Sequence, residues 1–354
     1  MDQGDKMNRY SRQISVPAFG ADGQRMLNRA RVLVLGAGGL AAPLLQYLVG
    51  AGIGNIRLVD ADRVSLDNLH RQTLFTEADI DKPKVDVARM RMQALNSDVS
   101  IEPVMAAADS SSITSLAQDC ALIIDCADSF ALSYAASDFC RDTGLPLISA
   151  SVSGIEGYVG GFCGTAPSLR AVFPQLPAQF GSCAEDGVLG PMVGILGAMQ
   201  AQMVLAVLAG MQPSPLGQLI TISGSDLRHG GFRFDRASEP ESGWPFIAKD
   251  MLASDDTVID LRAPYEAPLI TDQALRLALA DLDHAFTPPP RGRVVFCCRS
   301  GQRAWQAAEH LSSRWHGRIA LLATGTIHPT DKGPTDVSPT DTKYSFHFKK
   351  GPKR

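Results

Sequence analysis

The sequence predicts an α/β chain in two parts: a larger one built on a parallel sheet with helices on both faces, and a smaller one repeating the same alternation. Three observations carry this expectation. Short apolar runs alternate with helical segments from Arg31 to Ala150, a glycine turn ends the first of those runs, and a polar, unpatterned break at Arg236–Gly243 precedes a second alternation. Strands that alternate with helices pair in parallel, because each crossover helix returns the chain to start the next strand in the same direction.

Taken in order, residues 31–36 (RVLVLG) are an apolar run that stops at glycines and passes into AGGLAAPLLQYLVGAG: a buried strand, a tight turn and a helix. NIRLVD makes the next strand, and PKVDVARMRMQALN, from Pro83, a helix with proline in its first turn. SIEPV, ALIIDCAD and PLISA read as further strands, with a helix between the last two. After Gly154 the pattern turns glycine-rich and strand-like. The most apolar stretch, Gly187 to Ala209, is broken by glycines, a proline and two glutamines, which favours a loop and a buried helix over a membrane span. LGQLITIS and GGFRFD are strand segments. Beyond the break, WPFIAKDML reads as helix, TVIDLR and RVVFCC as strands, QRAWQAAEHLSSRW as helix and RIALLA as strand. The expected domains are thus 1–240 and 241–328, with a Pro/Thr/Asp/Gly-rich disordered tail over 329–354.

At 354 residues, with 45% hydrophobic and 20% charged residues, the composition is that of a soluble globular protein with a large core. A net charge of −4 argues against a nucleic-acid partner held by bulk charge. The polar N-terminus carries no signal-peptide core, so neither a membrane nor export is expected and the location is cytoplasmic. Seven cysteines, an odd number without a C-x-x-C pair, suggest neither a disulfide framework nor a zinc site.

The chemistry concentrates after the first strand. Gly36, Gly38 and Gly39 let the backbone approach phosphates at a helix N-terminus, whose unpaired N–H groups favour anions. Asp60 closes the second strand, where a carboxylate accepts hydrogen bonds from a ribose. These two features alone suit an NAD-dependent dehydrogenase as well. Three further motifs are more specific: Asp60-Ala61-Asp62-Arg63-Val64, then Asn68-Leu69-His70-Arg71-Gln72, then Lys82-Pro83-Lys84. Cationic and amide side chains so close to a phosphate-binding turn suit a triphosphate attacked at its α-phosphorus. Arg12 lies in a basic cluster upstream. Asp125-Cys126-Ala127-Asp128 ends another parallel strand and offers a carboxylate for Mg²⁺.

RYSRQ, GAGGLA, DADRVSLDNLHRQ, KPK and DCADS, in this order, resemble the MoeB/ThiF/HesA adenylyltransferases, relatives of ubiquitin-activating enzymes. The resemblance covers about residues 7–235. It implies a Rossmann-like ATP site using Gly36, Gly38, Gly39, Asp60, Arg71 and Lys84, with Asp62 and Asn68 beside them and Asp128 on Mg²⁺. It also implies a homodimer in which Arg12 reaches the ATP of the neighbouring subunit. The family commonly binds a structural zinc through two C-x-x-C pairs. Here these positions fall at Ser168–Ala171 and within 236–243, where cysteine is absent, so a zinc-free distal sheet held by packing alone is expected.

Two cysteines stand in reactive settings. Cys183 lies on a glycine-flanked loop where family members often carry a cysteine bonded transiently to the carrier; covalent and structural roles both remain open. Cys298-Arg299-Ser300-Gly301-Gln302-Arg303 turns from a strand into a helix and resembles the active loop of rhodanese domains, as does Asp260-Leu261-Arg262-Ala263-Pro264-Tyr265-Glu266. A sulfur at a helix N-terminus among N–H groups and two arginines is expected to have a lowered pKa. Arg303 is expected to orient the loop, Asp260 to be structural and Cys297 to face the core. The usual Gly-His-Ile-x-Gly-Ala segment after that Glu is replaced by APLITDQALRLALA, so an inert rhodanese remnant is a second possibility.

Joined, the two resemblances imply ATP- and Mg²⁺-dependent adenylation of the C-terminal Gly-Gly of a small ubiquitin-like sulfur carrier. Sulfur then passes from a Cys298 persulfide loaded by a cysteine desulfurase or other donor. A carrier-binding scaffold with a degenerate site, and the dehydrogenase, are the alternatives.

Overall fold

Leu33 and Leu35 of the first strand pack into one hydrophobic layer, and Val32 and Val34 into another. That period of two, with apolar residues on both sides, is what a central parallel strand covered on both faces requires. The computed structural model describes residues 9–176, 187–241 and 243–325. Cys183 and the expected tail from 329 onward lie outside the described residues.

The larger sheet contains β1 (Arg31–Leu35), β2 (Asn55–Val59), β3 (Ser100–Val104), β4 (Leu122–Asp125), β5 (Pro146–Ser153), β6 (Glu156–Cys163), β7 (Gln218–Ser223) and β8 (Arg228–Arg233). Its order is β3-β2-β1-β4-β5-β6-β7-β8, parallel from β3 to β5 and antiparallel from β5 to β8. Leu35 pairs with both Val59 and Asp125, so β1, β2 and β4 end level and open a crevice at their carboxyl ends.

The longer described helices are α1 (Gly20–Arg29), α2 (Ala41–Ala51), α3 (Lys84–Leu95), α4 (Phe130–Thr143) and α5 (Gly190–Leu208). By length and composition α5 alone among the described helices could cross a membrane. Its buried residues instead pack in the core shared with α2 and the sheet. A Cβ at Gly197 would lie 2.3 Å from the Leu40 carbonyl oxygen, so glycine there permits the close approach of the two helices. Gln200, fully buried, donates to the Asp125 carbonyl at 2.7 Å and accepts from the Cys126 thiol at 3.5 Å. A buried amide satisfied by the sheet identifies α5 as a core helix.

The smaller sheet holds β9 (Thr257–Asp260), β10 (Leu275–Arg276), β11 (Arg293–Cys298) and β12 (Arg318–Ala323), all parallel in the order β10-β9-β11-β12. Helix α6 (Gln302–Ser312) covers it with Ala304, Trp305, Ala308 and Leu311. The helix expected over WPFIAKDML is not there. Pro245 and Ile247 instead exchange backbone hydrogen bonds with Leu321 at 2.9 and 2.8 Å, leaving only a 3-10 turn at Lys249–Met251. The exposed edge of β12 captured this segment, and proline disfavours helix in the residue before it.

The two sheets share one hydrophobic cluster. Tyr134 of α4 lies 5.4 Å from Trp305 and 6.2 Å from Phe246, and the Arg170 guanidinium sits 4.8 Å over the Tyr134 ring. In this arrangement the described residues 236–241 and 243 lead across a packed junction.

The distal part of the larger sheet is not held by packing alone, in contrast to the expectation from sequence. Ser168 donates its backbone N–H and hydroxyl to the Glu239 carboxylate at 2.6 and 2.5 Å. Arg170 forms a two-pronged pair with Asp138 at 2.6 and 2.8 Å and donates to the Trp244 carbonyl at 3.1 Å. Polar side chains thus join the two segments in which the cysteine pairs of such adenylyltransferases would fall. Among the described residues no group of three or more His, Cys, Asp or Glu is arranged to hold a metal.

Candidate active site

The crevice at the ends of β1, β2 and β4 is a cavity of about 410 Å³. Its first wall is the glycine turn. Gly36, at φ +95°, donates to the Val59 carbonyl at 2.8 Å, and a Cβ there would lie 2.8 Å from the Cys126 carbonyl oxygen. Both the left-handed backbone and the close approach require glycine. At Gly38 the nearest atom to a Cβ is Gln72 Nε2, at 3.7 Å, so this glycine borders open space where a ligand can reach the backbone. Ala41, in the position of the usual third glycine, is fully buried in the core, as a small residue can be.

Asp60 is placed as expected, yet both of its oxygens serve the fold. Oδ2 accepts from the Ala37 N–H at 2.6 Å and Oδ1 from the Asp62 N–H at 2.7 Å, which locks the turn to β2. Burial raises its pKa, opposed by the nearby Lys84 cation. Lys84 opens α3, is only 3% exposed and pairs with Asp62 at 2.8 Å. An ammonium group buried at a cavity wall with one carboxylate keeps donors for an anion.

Arg71 sits on a segment clasped by glycines. A Cβ at Gly190 would lie 2.5 Å from the His70 carbonyl oxygen, and one at Gly39 would lie 3.3 Å from the Arg71 carbonyl oxygen. Asn68 Oδ1 accepts from Arg71 Nη2 and Gln72 Nε2, both at 2.9 Å, so one amide orients two ligand-facing side chains. Arg71 makes no salt bridge among the described residues; its cation borders the cavity and acts through space on the exposed Asp67 carboxylate, whose pKa it helps lower.

Gly36, Gly38, Gly39, Asp60, Asp62, Asn68, Arg71, Lys84 and Asp128 all line this one cavity. Asp128 is exposed on the loop after β4, whereas Asp125 is buried and accepts from Ser149 Oγ at 2.8 Å. Of these two carboxylates only Asp128 is available to a metal. Arg12 is exposed on a one-turn helix, Ser11–Ile14, and is not part of the cavity lining.

Sequence reading missed Gln72. It is 4% exposed, lines the cavity, and its Oε1 is buried without a hydrogen-bond partner among the described residues. Such an atom awaits a ligand or water, and fits a nucleotide with hydroxyl or amino donors. Its signal was its place directly after Arg71.

Cys298 lies apart from this lining, at the end of β11. Gly301 N–H and Ala304 N–H point at its sulfur at 3.1 and 3.4 Å, as a helix N-terminus should. The expected lowered pKa is not found. The sulfur is fully buried, and that burial raises its pKa despite the N–H groups and Arg303. Desolvation of a thiolate outweighs these partial charges. Arg303 binds Glu266 through two bonds at 2.9 and 2.6 Å and the Leu261 carbonyl at 2.8 Å, tying the start of α6 to the segment after β9. Asp260, fully buried, pairs with Arg262 at 2.7 Å and is structural. Cys297 joins the opposite core layer.

The ThiF family model matches residues 10–243, which span the whole larger sheet and most of the cavity lining. The chain belongs to the ThiF family. This member is 41% identical over 219 residues to the adenylyltransferase and sulfurtransferase MOCS3 of Sus scrofa, covering 61% of this chain and 48% of that protein. It is 37% identical over 224 residues to the sulfur carrier protein adenylyltransferase of Thermus thermophilus, covering 61% of this chain and 83% of that one. The chain thus matches about half the length of the MOCS3 relatives. Among solved structures it resembles PaaA, with 25% identity and a TM-score of 0.57 over 66% of this chain and 75% of that one. The parallel-dominated Rossmann-like sheet of this ThiF-family chain agrees with these likenesses. The smaller sheet lies beyond the family match.

Proposed function

We propose that this ThiF-family chain adenylates the C-terminal carboxylate of a small ubiquitin-like sulfur carrier, and that its smaller domain, over about 241–328, supplies sulfur from Cys298. One observation carries the first half: Arg71, a buried Lys84 and an open glycine turn converge on a single cavity. A carboxylate attacking a phosphate needs no general base; two anions must be brought together, and fixed cations lower that barrier. The carrier oxygen bonds to the α-phosphorus as its bond to the pyrophosphate oxygen breaks. Lys84 and Arg71 hold the phosphate charge, the turn at Gly38 donates backbone N–H groups, and Asp60 keeps that turn in place. Mg²⁺, when bound through Asp128, neutralises phosphate charge.

In the second half, the terminal sulfur of a Cys298 persulfide attacks the acyl carbon and AMP leaves. A further thiol cleaves the acyl disulfide, releasing the carrier thiocarboxylate and forming a disulfide with Cys298. The buried sulfur requires the loop 298–303 to open at this step. The rhodanese-like loop and the names of the MOCS3 relatives support this half. Arg12 is proposed to act on the ATP of a partner subunit in a homodimer, and Cys183 as the further thiol. Carrier-dependent ATP–pyrophosphate exchange tests the first half. Mass spectrometry of the carrier, seeking replacement of one terminal oxygen by sulfur, tests the second.

A further inference from the structure

The nucleotide cavity is not made by the larger sheet alone. Phe246, Ile247, Ala323, Thr324 and Gly325 line it together with Gly36 and Lys84. We infer that the smaller sheet completes the nucleotide site and that the Thr324 hydroxyl hydrogen-bonds the bound adenine nucleotide. This rests on the proposed ATP site and goes beyond it, because it makes nucleotide binding depend on a part of the chain outside the family match.

Three observations support the inference. Among the described residues Thr324 Oγ1 is buried without a hydrogen-bond partner, as is Gln72 Oε1 in the same lining. Buried polar atoms left unanswered by protein are retained where a ligand or water answers them, and these two come from different sheets around one cavity. The Thr324 backbone is held firmly: its N–H donates to the Cys298 carbonyl at 3.0 Å, and the Gly325 N–H donates to the Arg299 carbonyl at 3.1 Å. Gly325, at φ +73°, then turns the chain out of β12 in a conformation that side chains disfavour. Finally, the wall has support behind it. A Cβ at Gly301 would lie 2.8 Å from the Phe246 ring and 3.6 Å from Ala131 at the start of α4, so the Cys298 loop, Phe246 and the cavity rim are in contact. A hydroxyl fixed on such a wall is positioned before the ligand arrives.

The test is calorimetric titration of ATP, without carrier, into the full chain and its Thr324→Val, Thr324→Ser and Lys84→Ala variants, with melting temperatures of the nucleotide-free proteins as a folding control. Thr324→Val keeps shape and removes the hydrogen bond, so its Kd for ATP should rise about fivefold, as for one neutral hydrogen bond. Thr324→Ser should return it to near the wild-type value, which a purely structural role would not predict. Wild-type affinity in Thr324→Val alongside lost binding in Lys84→Ala overturns the inference and leaves the ATP site standing. Wild-type affinity in Lys84→Ala overturns the ATP site itself and the inference with it. Should Thr324→Val fold poorly, Thr324→Ala replaces it with the same expected rise.

Discussion

The carboxylate of Glu239 accepts both the backbone N–H and the hydroxyl of Ser168, 71 residues earlier in the chain. These two residues lie in the segments where related adenylyltransferases carry zinc-binding cysteine pairs. With the neighbouring Arg170–Asp138 pair they tie the segment after β6 and helix α4 to the segment leading into the smaller sheet.

If this clamp serves in place of a metal, Ser168→Ala should lower stability by about 0.5–1.5 kcal/mol, the net worth of one hydrogen bond, because the exposed Glu239 carboxylate can turn to water and keeps the backbone N–H. Urea denaturation measures it. Purified protein should hold far less than stoichiometric zinc, and chelator should leave its melting temperature unchanged. Stoichiometric zinc by elemental analysis would show that the protein binds metal through ligands outside the clamp.

Arg71→Ala and Lys84→Ala should each reduce carrier-dependent ATP–pyrophosphate exchange by roughly 10²–10³-fold, the typical effect of deleting one group that stabilises transition-state charge. Exchange at the wild-type rate in either variant would remove that residue from the site.

Burial keeps Cys298 protonated at neutral pH, because its folded pKa lies above the ordinary thiol value. Its alkylation by iodoacetamide should therefore be slow at pH 7 and accelerate as pH rises, since the thiolate is the nucleophile. Cys298→Ala should leave pyrophosphate exchange intact and abolish thiocarboxylate formation from a persulfide donor, with added sulfide restoring product by attacking the adenylate directly. Unchanged thiocarboxylate yield without sulfide would show that the smaller sheet is not the sulfur source.

The hydrogen bonds from Arg303 lower the Glu266 pKa from 4.5 to about 2. A depressed carboxylate stabilises the fold above its unfolded value and loses that contribution as pH falls through the folded one. Stability should thus decline between pH 4.5 and about 2, and Glu266→Gln should flatten that part of the profile. Parallel pH–stability curves for the two proteins would exclude the pairing as a contributor.

Much of the candidate site was legible because its parts are local. A glycine turn after an apolar run, a carboxylate at the next strand end and cations shortly after are set by spacing within one α/β unit. Gln72 was overlooked beside Arg71, because nothing in the chain marks one amide as unpaired once folded. The segment 244–252 was misread as helix because its apolar pattern fits two states, and the free edge of β12 chose between them. For Cys298 the N–H groups were foreseen correctly, but the sign of its pKa shift was not, because burial depends on what Trp305 and Phe246 pack against.

The amino-acid sequence alone was enough for the class of fold, for the convergence of Gly36, Asp60, Arg71 and Lys84, and for the alternation that sends Cys297 and Cys298 to opposite layers. All three rest on short-range backbone geometry, with periods of two along strands and the handedness of strand–helix–strand units. The place of Thr324 in the lining of the cavity, the Ser168–Glu239 clamp and the desolvation of Cys298 became visible only in three dimensions. Each joins segments distant in sequence, and such contacts arise from how whole layers pack rather than from any pattern that one segment carries.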